Sequence, residues 1–231
     1  MERKKKETRG KFIVFEGSEC SGKTTQAALL LHNLEKQCKK FPILTKEPTV
    51  GTIGKFIREE LLTGNTRIDE KSLNELFTGD RLDHILKPDG ILSYLNNSID
   101  VISDRYYLSS IAYYAMNSQS LSEYIESFDY MWKSNKVNRD LCKADLTIFI
   151  DIDEDVFAER IRKRKGNDVY DNIEVFRKTR NAYYQAIDYA SSNGDNIVIV
   201  DGNGSMLDVS NSVFEIVCRH IGFKIKAGGK N

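Results

Sequence analysis

The segment Gly17-Ser18-Glu19-Cys20-Ser21-Gly22-Lys23-Thr24 constrains this chain more than any other. It fits the pattern G-x-x-x-x-G-K-[ST], which carries weight only where a strand leads in and a helix leads out. Both flanks are present: Lys11 to Phe15 is a short β-rich run, and Ala27, Leu30, Leu31 and Leu34 recur at helical spacing after the loop. Gly17 and Gly22 would let the backbone curl with its N–H groups inward, so that triphosphate oxygens meet donors and the positive end of a helix. Ser18, Glu19, Cys20, Ser21 and Thr25 complete the expected cradle. Lys23 would span the β and γ phosphates, and Thr24 would offer its hydroxyl to Mg²⁺, an ion that shares its oxygen shell with the nucleotide. ATP and Mg²⁺ are the cofactors this implies; the alternative is a glycine turn that binds nothing. Kinases, GTPases, motors and transport ATPases share such a loop, so it names a donor and not a reaction.

The rest of the chain sets the fold around the loop. Further β-rich runs at Phe41 to Thr45, Asp100 to Ser103, Leu146 to Ile152 and Asn196 to Val200 alternate with stretches of helical period. Among these, Ile53, Phe56, Ile57 and Leu61 form one apolar face and Leu73, Leu76 and Phe77 another, while Ser120 with Glu123 has the spacing of a capping box that starts a new helix over 121–135. The pattern predicts an α/β P-loop NTPase fold, a five-stranded parallel sheet with helices on both sides. Three prolines and no low-complexity linker predict one domain over residues 11–231, behind a frayed basic tail at 1–10. Lys plus Arg and Asp plus Glu balance at 34 each, which argues against a general affinity for nucleic acid. Cys20, Cys38, Cys142 and Cys218 have no metal-knuckle or disulfide-framework spacing, and no apolar run approaches the roughly 20 residues of a membrane span. A soluble cytoplasmic protein with reduced thiols and no membrane partner is the expectation.

Three clusters could carry an acceptor. Phe77 and Arg81 stand four residues apart, so a ring and a guanidinium project together and could stack on a base and donate to its edge; ordinary core and an ordinary ion pair are the alternative. The third strand ends at Ser103-Asp104-Arg105-Tyr106, at the sheet edge where open α/β folds bind ligands. Asp104 could organise Mg²⁺ or take a proton and Arg105 could fork onto a phosphate, unless the two simply pair. Arg58 could be a second phosphate ligand. Finally, Arg160-Ile161-Arg162-Lys163-Arg164-Lys165-Gly166 sets five cations at a helix end, either a solvated basic terminus or a lid over about 160–172 that brings charge to a migrating phosphoryl group. Arg160 and Arg164 share a face, so one could lie against adenine and the other reach the γ-phosphate.

Taken together, FEGSECSGKTTQ, KEPTVGTIGKFIREELL, LNELFTGDRLDH, SDRYYLSSIAYY and ERIRKRKGND resemble thymidylate kinases in order and spacing, from about Lys11 to His220. The bacterial and archaeal type fits best, because Cys20 fills the loop position where some members carry an Arg and the lid must supply that charge. The resemblance implies a homodimer that transfers the ATP γ-phosphoryl group to dTMP. It implies that Lys23, Asp104, Arg105 and Arg164 serve catalysis and that Arg160 serves ATP. Glu19 would meet a deoxyribose hydroxyl, Phe77 would stack on thymine and Arg81 donate to its edge. Arg58 and Arg105 would hold the dTMP phosphate, and Glu47, Ser110, Tyr113 and Tyr114 would complete the pocket, Tyr113 crowding a ribose 2'-hydroxyl. Thr49-Val50-Gly51 departs from the family's glycine-rich turn, and Tyr114 stands where many bacterial relatives carry Gln. Another nucleotide or deoxynucleoside kinase is the nearest alternative. A P-loop regulatory ATPase is the alternative from another class, though the chain has no Asn-Lys-x-Asp guanine motif.

Overall fold

The computed structural model describes residues 9–64, 66–118, 120–163 and 172–224. Its strands are β1 (Phe12–Glu16), β2 (Ile43–Lys46), β3 (Val101–Asp104), β4 (Leu146–Asp151) and β5 (Ile197–Asp201). They form one sheet of order β2-β3-β1-β4-β5 with every neighbouring pair parallel. All but β4 lie one or two residues further toward the carboxyl end than the apolar runs suggest. The difference matters, because it brings the carboxylates Glu16 and Asp104 into the ladder at the edge where ligands bind.

The helices are α1 (Lys23–Asn33), α2 (Thr52–Phe56), α3 (Glu70–Leu86), α4 (Ile91–Asn96), α5 (Tyr107–Ala115), α6 (Leu121–Ser134), α7 (Lys136–Leu141), α8 (Glu154–Lys163), α9 (Ile173–Ser192) and α10 (Met206–Ile221). A strand alternates its side chains, so β1 feeds two cores. Ile13 and Phe15 pack with Ala27 and Leu30 of α1 and with Val213 and Phe214 of α10. Phe12 and Val14 face the other way, toward α3, α4, α5, α6 and α9. Both faces are covered, which is why β1 reads as a continuous apolar run rather than an alternating one.

Ser120 accepts from the Glu123 N–H at 3.2 Å and starts α6 where the capping-box spacing placed it. Helices α9 and α10 lie outside the apolar patterns noted above, and Asn172 and Ser205 cap them by accepting from Glu174 N and Asp208 N. The frayed tail needs a correction as well. Arg9 pairs with Asp145 at 2.8 Å and the buried Gly10 donates its N–H to Leu95 O at 2.8 Å, so both belong to the packed structure. Residues 1–8 lie outside the described residues. No helix among those described is long and apolar enough to cross a membrane.

Candidate active site

The loop between β1 and α1 takes the conformation its glycines permit. Gly17 has φ +149°, and a Cβ there would sit 2.7 Å from Ile150 O; Gly22, at φ +95°, caps α1 from the left-handed region. Lys23 is buried and donates to Ser18 O at 2.7 Å. Burial above all, then the positive charge of Arg105, lowers its pKa to about 8 against the pull of Glu19, Asp104 and Glu16. Thr24 Oγ1 donates to Asp104 Oδ2, while Asp104 Oδ1 is buried without a partner among the described residues. Arg160, at the inner end of α8, donates to Cys20 O (3.1 Å), Ser21 O (3.0 Å) and Gly202 O (2.7 Å), tying the loop to the turn after β5. Cys20, Ser21, Gly22, Lys23, Thr24, Thr25 and Arg160 line one recess, whereas Gly17, Ser18 and Asp104 stand behind it.

A second recess lies beside it. Phe77, Pro48 and Leu62 give it apolar walls, and Glu47, Asn74, Arg81, Arg105, Ser110 and Tyr113 its polar groups. Glu19 lines both recesses, so they are neighbours that share this side chain. Arg81 is 1% exposed and committed: Nε donates to Glu47 Oε2 (2.7 Å), Nη1 to Asn135 Oδ1 (2.5 Å), and Nη2 to Tyr106 O (3.2 Å) and Ser110 Oγ (3.1 Å). Glu47 is equally committed, its other oxygen lying 3.1 Å from His84 Nδ1.

Arg105 sits between the recesses. Its Nη2 pairs with Glu19 and reaches Tyr113 OH at 3.4 Å, and its Nη1 donates to Ser109 Oγ at 3.1 Å. Its backbone is left-handed at φ +78°, a conformation a side-chain-bearing residue keeps only when its surroundings enforce it. Glu16, the last residue of β1, does so from below. Its Oε1 accepts from Tyr106 N (2.9 Å) and Ser109 N (3.2 Å), and its Oε2 from Ser109 Oγ (2.6 Å) and Tyr183 OH (3.1 Å). Burial pushes the Glu16 carboxyl above the usual carboxylate range, against the opposing effect of those hydrogen bonds and the Arg105 charge.

The structure thus gathers Glu19, Glu47, Phe77, Arg81, Arg105, Ser110 and Tyr113 in one place and Lys23, Thr24, Asp104 and Arg160 beside them. Two expected pocket residues are elsewhere. Tyr114 lines a separate recess with Glu70 and Lys71 and packs on Tyr130 at 5.4 Å, because the helical turn that aims Tyr113 inward rotates its neighbour away. Arg58 is half-buried outside the pocket and donates from Nη1 to Thr49 O and to Pro48 O (2.8 Å), holding the loop after β2. Thr49 itself replaces glycine geometry with hydrogen bonds: its N–H and hydroxyl donate to Asp80 at 2.7 and 2.6 Å, and its Oγ1 accepts from Gly51 N. Arg164 lies outside the described residues. Sequence reasoning missed Glu16, Asn74, Ser109, Asn135 and Tyr183; an acid closing an apolar strand was the one visible signal for Glu16.

Comparison with known proteins points to one family. The thymidylate kinase family model matches residues 15–213. The chain is 37% identical over 178 residues to a probable thymidylate kinase of Methanococcus maripaludis, covering 77% of each chain. It is 32% identical over 220 residues to one from Thermococcus gammatolerans, covering 92% of this chain and 98% of that one. Among solved structures, the thymidylate kinase of Candida albicans superimposes with a TM-score of 0.69 at 27% identity, covering 95% of this chain and 96% of that one.

Proposed function

The chain belongs to the thymidylate kinase family, phosphotransferases that act on dTMP with ATP as phosphate donor, and from that premise we propose how its two recesses divide the work. ATP is assigned to the recess of the P-loop and dTMP to the recess of Phe77 and Arg81, with the γ-phosphoryl group passing between them to give dTDP and ADP. The observation that carries the assignment is Glu19, which lines both recesses and pairs with Arg105 at their junction.

The acceptor oxygen of a nucleoside monophosphate is already anionic, so the chain must supply position and positive charge rather than a strong base. Arg105 is assigned to the acceptor phosphate: its fork is held on one side by Glu19 and on the other by Ser109, and an incoming phosphate would share or displace the Glu19 contact. Lys23, released from Ser18 O, would meet the donor phosphates. Phe77 is assigned to stack on the base, Tyr113 and Glu19 to line the sugar, and Glu47 to hold Arg81 rather than touch substrate. Thr24 and Asp104 would hold Mg²⁺, and the hard, unpartnered Asp104 Oδ1 suits that ion. Bound there, Mg²⁺ would supply charge neutralisation at the phosphates. Arg160 is assigned to the ATP side, and Arg164 and the lid over 160–172 remain a proposal carried by the resemblance. So do a single domain over 11–231, the cytoplasmic location and the homodimer, the last of which light scattering would check.

A coupled assay of ADP release tests the assignment with dTMP, dUMP, dGMP and thymidine as acceptors. Release should depend on dTMP and be slight with thymidine, which lacks the phosphate that Arg105 would grip. Equal ADP release with and without dTMP would overturn it.

A further inference from the structure

Helix α3 presents Asn74, Phe77 and Arg81 to the acceptor recess from one face. Asn74 is 7% exposed, and its Nδ2 donates to Glu70 O at 2.8 Å. A carbonyl only accepts, so the amide cannot be turned over without setting two acceptors against each other. Oδ1 is therefore directed away from the helix backbone, and no described residue donates to it.

The two carboxylates of the recess already serve other donors. Glu47 is used by Arg81 and His84 through its two oxygens, and Glu19 by Arg105 and Tyr113 through Oε1. On the donor side, Arg81 has five N–H groups and commits four to described residues, leaving one on Nη1. A flat ring against Phe77 would therefore meet one free acceptor from Asn74 and one free guanidinium donor. Thymine offers the complement: an N3–H donor beside the O4 acceptor. Cytosine offers the reverse, a lone pair at N3 beside an amino group.

Resting on the assignment of this recess to dTMP, we propose that Asn74 is a specificity-determining residue whose Oδ1 accepts the N3–H of the acceptor base. Keto pyrimidines are then admitted. Cytosine is rejected twice, once by acceptor against acceptor at Asn74 and once by donor against donor at Arg81. A site built to pair a polar group discriminates strongly against an analogue that cannot pair it, because its own buried atom is left unmatched.

The test is a cycle of kcat/KM for dTMP and N3-methyl-dTMP with the wild-type enzyme and Asn74→Ala. The wild type should prefer dTMP by roughly a hundredfold or more, since the methyl group removes the donor and occupies its place. Asn74→Ala should lose roughly ten- to hundredfold on dTMP with the KM for ATP unchanged, and its preference should shrink to a few-fold as the truncation gives the methyl group room. Disturbance of α3 alone would lower both substrates together and leave the preference intact, which would overturn the proposal. So would a variant within about twofold of wild type on dTMP. The wild-type arm stands without any variant: equal use of the two substrates overturns the role of Asn74, whereas no turnover of dTMP overturns the assignment of the recess itself.

Discussion

Replacing Glu47 with Ala should be among the most damaging single changes in the acceptor pocket, and its cost can be worked from the structure. The Glu47 and Arg81 side chains are 3% and 2% exposed and meet at 2.7 Å. Removing the carboxylate leaves the guanidinium buried with only neutral acceptors, Asn135 Oδ1, Tyr106 O and Ser110 Oγ, and also strips His84 Nδ1 of its partner. Breaking a buried pair from one side costs about 3–5 kcal/mol, chiefly the desolvated charge left behind. At this chain length about 2–4 °C of Tm accompanies each kcal/mol, so the melting temperature should fall by about 6 to 20 °C.

The same physics makes a second variant informative. Glu47→Leu combined with Arg81→Met removes both charges and fills the space with apolar atoms, and such replacements are often neutral or stabilising. The double variant should recover most of the lost Tm while losing dTMP turnover, because the free Arg81 donor is gone. Denaturant melts and steady-state kinetics on the two variants separate the terms. A single variant within about 1 kcal/mol of wild type, or a double variant no more stable than the single, would refute the account of Glu47 as the counter-charge of Arg81.

Arg105→Ala should lower kcat by about two orders of magnitude or more while the dissociation constant for ATP, read by calorimetry, stays close to wild type; near-normal turnover would remove its assigned role. With a pKa of about 8, Lys23 is an ammonium below that pH and a neutral amine above it, so kcat/KM for ATP should hold level through neutrality and fall as pH rises past 8. Bound phosphates favour the charged form, so kcat should fall only at higher pH, and a kcat/KM flat to about pH 9.5 would show that the charge of Lys23 is not needed.

What the sequence discloses here is what lies within a few residues of itself. The P-loop, the capping box at Ser120 and the Phe77–Arg81 spacing are all decided inside one helical turn or one loop, and each is where its spacing places it. Ser205 and Asp208 repeat the spacing of Ser120 and Glu123, so the start of α10 carries the same local signal. The pairings that aim the acceptor side chains are different in kind. Glu47 and Arg81 are 34 residues apart, Arg81 and Asn135 are 54 apart, and Glu16 and Tyr183 are 167 apart. No window of local sequence contains both members, so a spacing rule can nominate Arg81 as a base ligand but cannot tell that four of its five donors are already in use.

Glu16 shows why such a residue can govern a site without local warning. A carboxylate with 0% exposure at the end of an apolar strand costs free energy unless several donors meet it. Here two of its four donors are the N–H groups of Tyr106 and Ser109, at the start of α5, where the N-cap residue Tyr106 contributes no side-chain cap of its own. Helix starts are recognised from sequence by a capping side chain next door, and this one borrows its cap from another strand. The borrowing is what shapes the site. With Phe15 O holding the Arg105 N–H at 2.8 Å and Glu16 holding those of Tyr106 and Ser109, residue 105 is fixed between consecutive residues of β1 and kept left-handed. Its guanidinium then leaves the strand edge toward Glu19 rather than back along the sheet. The carboxylate that reads as a misplaced charge in a hydrophobic strand is thus the support that sets the direction of the phosphate-binding arginine.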